Sequence, residues 1–389
     1  MNAAAQPSPT APARDVDTDV GLPGWIYSDP DFFELEKQSI FRTSWQIVCH
    51  ISDIPRVGDY HCFDLLGESV VTVRAEESIV RSFHNVCRHR ASRLLDGQKG
   101  HCGRRITCPY HAWTYTLDGK LVGVPHRDAF RNLDTTRHSL VALEQEIFCG
   151  FIFVRFESGL PGVREMFGPY ADELATYRME DLVPQGRVTL RPREVNWKNV
   201  ADNYSDALHI NVAHPGLTRL FGRSYGIEAQ PWADKMWGQL REESSRNWSE
   251  RHYQHLLPPV SFLPPERQRL WTYFKLWPNV AFDVYPDQID FMQFVPVSPT
   301  QTLIREIAYV HADERREMRA ARYLNWRINR KVNLEDKALI ERVQDGMGSS
   351  SYTVGPLSDN EVCLRSFTRR MHSLIPVSRQ PRKPHVSKL

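Results

Sequence analysis

The chain has 389 residues, with 49 Lys and Arg against 47 Asp and Glu, so its formal charge is only +2. It is 41% hydrophobic and 25% charged, the composition of a globular protein long enough for two domains. The balanced charge, with no clustered basic helix, argues against nucleic acid or a membrane surface as partner. No apolar run approaches the roughly 20 residues that span a bilayer.

Residues 1–20, beginning MNAAAQPSPTAPARD, lack the apolar core of a secretory signal and read as a disordered tail. Residues 21–44 are expected to contribute a helix over 28–42 that packs on the C-terminal domain. Ser28 or Asp29 caps it and Pro30 occupies its first turn. From 45 to 157 short alternating or β-branched segments, such as YHCFDLL and FIFVRF, are separated by Gly and Pro turns. This predicts an all-β module.

Inside that module, FHNVCRHRAS and RRITCPYHAW carry Cys87-x-His89 and, after eighteen intervening residues, Cys108-x-x-His111. Two thiolates and two imidazoles in short pairs make a metal site. Each pair mixes one sulfur and one nitrogen, so one iron of a two-iron cluster could take both sulfurs and the other both nitrogens. That is the ligand set of a Rieske [2Fe–2S] centre. The rival is a structural zinc site, but zinc fingers usually keep like ligands together. Pro109 fixes a tight loop, and TYTLDGKL over 114–121 predicts a hairpin turning at Asp118-Gly119.

Seven cysteines, an odd number, include no further paired spacing, which predicts free thiols, a reducing compartment and a cytoplasmic location. Cys102 is read as structural.

Residues 158–378 are read as a second domain. REMFGPYADELATYRM suggests one amphipathic helix, VTLRPREVNWKN a strand leading into a helix, and ERREMRAARYLNWRINRKVNLEDKALIERVQDG a long helix. The strand-rich stretch between them is aromatic, with Trp237, Trp271, Tyr273, Phe274, Trp277, Phe282, Tyr285, Phe291 and Phe294. Such faces could stack an arene or cage a methylated ammonium, although most are expected to be sheet core. Residues 379–389 form a basic tail whose terminal Ser387-Lys388-Leu389 is read as the end of that tail rather than a peroxisomal address.

DNYSDALHINVAHPG holds Asp206, His209 and His214. Asp206 and His209 share a face if helical, and a helix that loosens near Pro215 could bring the second imidazole to the first. Two histidines with one carboxylate and open positions mark non-haem Fe(II) oxygen chemistry. Asp336 is the best third ligand. Glu335 and Glu341 compete, and composition alone makes each of the three a solvated helix charge.

With NWKN…DNYSDALHINVAHPG and ED…VQ.G in this order after the cluster motif, the chain resembles the α subunits of Rieske non-haem iron oxygenases, the aromatic-ring-hydroxylating oxygenases. The resemblance runs from GLPGWIYSDPDFF to the Gln344 region. It implies an α+β fold, an all-β Rieske domain followed by a helix-grip catalytic domain with an antiparallel sheet. It assigns Cys87, His89, Cys108 and His111 to the cluster, His209, His214 and Asp336 to a mononuclear Fe(II), and Asn203 to a place near that iron. Asp206 becomes a carboxylate bridge from His111 of one subunit to His209 of the next in a homotrimer. The family's usual Glu-Asn pair is Asp202-Asn203 here, which leaves the ligands untouched.

The implied activity is that of a terminal oxygenase using O2 to hydroxylate a small organic molecule. Aromatic ring hydroxylation is favoured as the commoner task, and N-demethylation or hydroxylation of a quaternary ammonium compound is the alternative. A simple Rieske electron carrier would not need the second motif. With no G-x-G-x-x-G after a strand, electrons must come from a separate NAD(P)H reductase, with or without a ferredoxin. Arg88, Arg90, Arg93, Arg104 and Arg105 crowd the cluster loops, either as a docking face or as a solvated one. A β subunit is compatible with the resemblance.

Overall fold

The computed structural model describes residues 19–223 and 225–384. The expected N-terminal tail, apart from Asp19 and Val20, and Ser387-Lys388-Leu389 lie outside the described residues. Helix α1 (Pro30–Glu36) starts where Asp29 accepts a hydrogen bond from Phe32 N at 2.8 Å, and a π-helical turn continues it through Lys37–Phe41.

Strands β1 (Gln46–His50), β2 (Asp59–Leu65), β3 (Glu68–Arg74), β4 (Val80–His84), β5 (Lys99–His101), β6 (Arg105–Thr107), β7 (Thr114–Thr116), β8 (Leu121–Gly123), β9 (Glu144–Phe148) and β10 (Phe151–Arg155) follow. They form three antiparallel sheets, ordered β4-β3-β2-β5, β6-β7-β8 and β1-β10-β9. The expected hairpin joins β7 to β8, with Gly119 at φ +83° and so close to Phe83 that a Cβ would lie 2.6 Å from its ring.

The helix expected over 164–179 is two, α2 (Val163–Phe167) and α3 (Tyr170–Ala175). Gly168 at φ +55° followed by Pro169, which has no N–H, breaks it. Next come β11 (Val183–Arg193), α4 (Trp197–Ser205), α5 (Ile210–Ala213), α6 (Pro215–Phe221), β12 (Tyr225–Ala229), β13 (Ala233–Gln239), α7 (Trp248–Leu256), β14 (Leu270–Leu276), β15 (Val280–Val284), β16 (Ile289–Ser298), β17 (Gln301–Val310), α8 (Arg316–Met347) and α9 (Val362–Leu374). The seven strands make one antiparallel sheet, ordered β11-β17-β16-β15-β14-β13-β12.

Both faces of the central strands are buried. On one side Phe151 of β10 meets Phe282 edge-on at 4.9 Å, and Phe167 of α2 joins the same core. On the other, Trp197 of α4 and Phe367 of α9 pack on Trp277. A fully buried ion pair, Lys198 Nζ to Glu36 Oε1 at 2.7 Å, fastens α4 to α1. The pair is reinforced by Trp197 Nε1 donating to Glu36, because a buried charge is tolerated only when paired and hydrogen-bonded.

Candidate metal centres and the cavity beside them

The two halves of the first motif meet at the end of the β-module. Cys87 and Cys108 are buried, and the rings of His89 and His111 lie 4.7 Å apart. His89 stacks on Trp113 with an interplanar angle of 9°, and its Nδ1 is buried without a hydrogen-bond partner. An orphaned imidazole nitrogen beside two thiols fits a metal ligand better than a core histidine. Burial raises the Cys108 thiol, but backbone N–H groups of His111 and Tyr110 outweigh it and hold the group below its usual value. Tyr115 OH lies 3.4 Å from Cys87 Sγ. Cys102 sits apart, donating to Gly58 O, and all seven cysteines are free. Of the five arginines around the loops, Arg93 is held by Asp64 at 3.0 Å, and Arg90 reaches the exposed Tyr110.

The second motif is not one helix. α4 ends at Ser205 with Asp206 as its C-cap, and the Asp206 carboxylate holds the turn before α5 by accepting from Leu208 N at 2.8 Å and His209 N at 3.3 Å. Asp206 Oδ2 also takes His209 Nδ1 at 3.0 Å. The expected Asp206–His209 contact therefore forms across the turn between α4 and α5 rather than on a helix face. His214 ends α5, where Pro215 opens α6. Asp336 reaches in from α8, and Asn203 Nδ2 stands 3.5 Å from His209 Nε2.

His209 Nε2, His214 Nε2 and Asp336 Oδ1 converge. The two nitrogens are 3.1 Å apart, and Asp336 Oδ1 is 3.0 Å from His214 Nε2 and 3.6 Å from His209 Nε2. Each Nδ1 is claimed by another carboxylate, His209 by Asp206 and His214 by Glu335 at 2.9 Å. In the neutral imidazole these partners favour the Nδ1–H tautomer, which leaves Nε2 as the ligand atom. Asp336 Oδ1 is buried without a hydrogen-bond partner. Three ligand atoms aimed at one point, two of them imidazole nitrogens whose lone pairs are free once their protons leave, suit a cation. Electrostatics agree: burial lowers His209, yet Asp206 and Asp336 overcome it and hold the imidazole at about 9. Burial raises Asp336, but the two histidines pull it down to about 2. The cluster of carboxylates calls for positive charge that a divalent ion would supply.

Glu341 does not join this group; it lies 3.7 Å from Lys337. Gln344 frames it instead. Its Oε1 accepts from Asn196 N at 2.8 Å and Asn199 Nδ2 at 2.7 Å on the α4 side, and its Nε2 donates to Tyr27 O. That single amide sets α8, and so Asp336, against α4.

A cavity of about 100 Å³ opens beside His214 and Asp336. Of the nine aromatic residues named from sequence, Tyr273 and Phe294 line it, while Phe274, Trp277, Phe282 and Phe291 belong to the main core. Sequence reading missed Tyr204, Tyr225, Asp283 and Arg193. Asp283 is 8% exposed, accepts from Tyr204 OH at 2.6 Å and Tyr285 OH at 3.3 Å, and is raised by burial to about 6.

Comparison with known proteins agrees with this geometry. The model of the Rieske [2Fe-2S] domain matches residues 44–138, and that of the ring hydroxylating alpha subunit (catalytic domain) matches residues 179–376. The chain belongs to the ring-hydroxylating α-subunit family of Rieske oxygenases. It is 32% identical over 345 residues to the carnitine monooxygenase oxygenase subunit of Acinetobacter baumannii, covering 85% of this chain and 86% of that one. It is 27% identical to the glycine betaine monooxygenase oxygenase subunit of Chromohalobacter salexigens, covering 90% and 86%. A solved quaternary ammonium Rieske monooxygenase in complex with L-carnitine superposes with a TM-score of 0.76 at 26% identity, over 92% of this chain and 96% of that one. The protein is thus a terminal oxygenase subunit, with a Rieske cluster, a non-haem iron and O2 as co-substrate, fed by a reductase. Among the described residues no helix is long and apolar enough to cross a membrane.

Proposed function

We propose that this oxygenase acts on a quaternary ammonium compound, and that Asp283 is the residue that recognises it. The supporting observation is a buried carboxylate in the wall of a cavity also lined by Tyr204, Tyr225 and Tyr273. A methylated ammonium cannot donate a hydrogen bond, so it is held by ring faces and an unneutralised countercharge. An arene would gain from the rings but would bring no positive charge to Asp283, which Tyr204, Tyr285 and Arg191 relieve only in part. The ring hydroxylation favoured from sequence therefore gives way here to its alternative. The similarity to the carnitine and glycine betaine enzymes supports the same choice.

The assignments of residues belong to the same reading. Cys87, His89, Cys108 and His111 would hold the cluster, and His209, His214 and Asp336 the iron. When bound, the iron activates O2 with electrons delivered through the cluster. Asp206 and Glu335 orient the two imidazoles through Nδ1. Asp283 and the tyrosines hold the cationic head, and Val200, Phe294 and Ile340 exclude water from the reacting carbon. One oxygen atom enters a C–H bond next to nitrogen, and the other leaves as water with two electrons and two protons. The resulting N–C–OH group then breaks its C–N bond, giving a tertiary amine, a carbonyl compound and the proton of the hydroxyl.

The domains are proposed at 45–157 and 158–378, the location as cytoplasmic, and the assembly as a homotrimer. In the trimer His111 of one subunit faces Asp206 of the next, with a ferredoxin or a β subunit as a further component. Leu208 and the 85%-exposed Val212, flanking Asp206, suit a subunit contact. The test is O2 and NADH consumption with a reductase across arenes, aryl acids and quaternary ammonium compounds. Tightly coupled consumption with trimethylammonium substrates alone is expected; coupled arene oxidation would overturn the proposal.

A further inference from the structure

We infer that the outward face of α7 and the first half of α8 is a docking surface for the reductase, which meets it with a carboxylate-rich face. The inward face of α8 is spent on the fold. Met318, Ala321, Leu324 and Ile328 are buried there, the last three in one core with Tyr253 of α7. The outward face has another composition. Of the eight exposed side chains from Arg316 to Lys331, five are Lys or Arg, two are Tyr323 and Trp326, and one, Glu317, is acidic. None of Arg316, Arg319, Arg327 and Arg330 has a carboxylate within 4.0 Å among the described residues.

Cations and rings are interleaved on this face. Trp248, Tyr323 and Trp326 are 52%, 52% and 50% exposed. Tyr323 and Trp326 stack with centroids 5.9 Å apart. The Arg327 guanidinium lies 5.7 Å from the ring of Trp248 and 5.9 Å from that of Tyr323, so it bridges the two helices. Its Nε donates to Ser249 Oγ at 3.1 Å. Arg330 lies 5.4 Å from the ring of Trp326. Single surface aromatics are ordinary, but these form one continuous run. Guanidiniums laid on rings are already ordered, and their forks remain open to carboxylates. Trp, Tyr and Arg are also the residues that dominate the centres of protein interfaces. A bilayer would need an apolar helix face turned outward, and that of α8 is turned inward. A second copy of this face would meet it with like charge.

The reductase is the protein partner that every turnover requires. Its docking must be reversible, and charge complementarity speeds encounter without a large buried area. Position suits this role. α5, α6, α7 and α8 contribute to one core, and Arg219 of α6 is held by Glu250 of α7 at 2.6 Å. The docking face is thus continuous with the elements that carry His209 and His214. In the homotrimer proposed above, the neighbour's cluster arrives beside those elements. Only this placement draws on the trimer; the arguments from charge and rings do not.

The test measures the affinity of the holoenzyme for the reductase, as the reductase KM in coupled O2 consumption and by equilibrium binding, over a range of salt. Arg327→Glu with Arg330→Glu is expected to weaken both by roughly tenfold or more and to flatten their salt dependence. Trp326→Ala should weaken both without changing the salt dependence. The cluster spectrum, the melting transition and the product yield in a single turnover of dithionite-reduced enzyme should match wild type, which separates docking from folding and chemistry. Unchanged reductase affinity in the charge-reversed variant, with losses confined to Arg88→Glu and Arg90→Glu on the cluster loops, would overturn the α7–α8 face. Sedimentation with phosphatidylserine vesicles that charge reversal abolishes, at unchanged reductase affinity, would overturn it in favour of a lipid surface. Tenfold losses in an assembly that is not a trimer would remove the placement argument and leave the docking face standing.

Discussion

Asp283 carries an energetic burden that its surroundings only partly relieve. Burial raises it; Tyr204, Tyr285 and Arg191 lower it, and Asp336 raises it. Asp290, opposite it across β15 and β16, is pushed higher still by burial and by Asp283 itself. A carboxyl whose folded value stands at about 6 against 3.8 unfolded is protonated more readily in the fold. Its contribution to stability is therefore full below about pH 4 and is lost as pH rises through about 6. The cost of ionising it is on the order of 3 kcal/mol. An ammonium substrate would repay that cost on binding. We expect kcat/KM for a trimethylammonium substrate to fall as pH drops below about 6. Asp283→Asn should raise the melting temperature at neutral pH, lose substrate affinity and flatten this acid limb. A profile unchanged in the variant would remove Asp283 from recognition. Residue chemistry was legible where it was local. Cys87, His89, Cys108 and His111 announce themselves by spacing, and their side chains do meet. Asp283 does not, because β14, β15 and β16 are buried on both faces. Alternation then says which residues share a face, and cannot say which face borders a cavity.

Helix α8 shows how one element organises a site. Glu335 and Asp336 are consecutive, diverge around the helix and grip one imidazole, Glu335 at Nδ1 and Asp336 within 3.0 Å of Nε2. Gln344, two turns on, ties the same helix to α4. The sequence marks α8 as a long helix and offers three carboxylates, but choosing among them needs the rotation that Gln344 imposes. α5 was illegible for the opposite reason. Its four residues are too few for a periodic signal, and the Asp206 turn before it and Pro215 after it set its bounds. Glu335 supplies the second carboxylate–histidine pair. Glu335→Gln should keep the cluster spectrum but lower iron affinity by about ten- to a hundredfold, measured by chelator competition. Iron retention equal to wild type would show that Glu335 contributes only a surface charge beside Lys331.

At the scale of the molecule, the cluster loops and the Asp206–His209 pair share no hydrogen bond and no cavity within one chain among the described residues. The proposed electron path between subunits makes a distinctive prediction. Asp206→Ala and His111→Ala should each be inactive alone. Mixed assemblies of the two should regain a measurable fraction of activity, because a subunit with an intact cluster can face one with an intact Asp206. No recovery on mixing, under conditions where subunits exchange, would count against the path. The order of domains was legible because each carries its own metal motif. The packing of β1, β9 and β10 into the core of the larger sheet was not, since their segments look no different from the strands of the cluster module.

The two metal motifs also close on very different scales of chain. Cys87 and His111 are 24 positions apart (111 − 87), whereas His209 and Asp336 are 127 apart (336 − 209), and the frame around the latter includes Tyr27 and Glu36. Contacts of such separation form late, after the costly closure of long loops. As the chain leaves the ribosome, the cluster loops are ready to be filled while α8 has yet to be made. The histidine pair then waits as a two-donor site until Asp336 arrives. On the ligands proposed above, metallation is expected to be ordered by topology, the mononuclear site becoming complete only once α8 has been made.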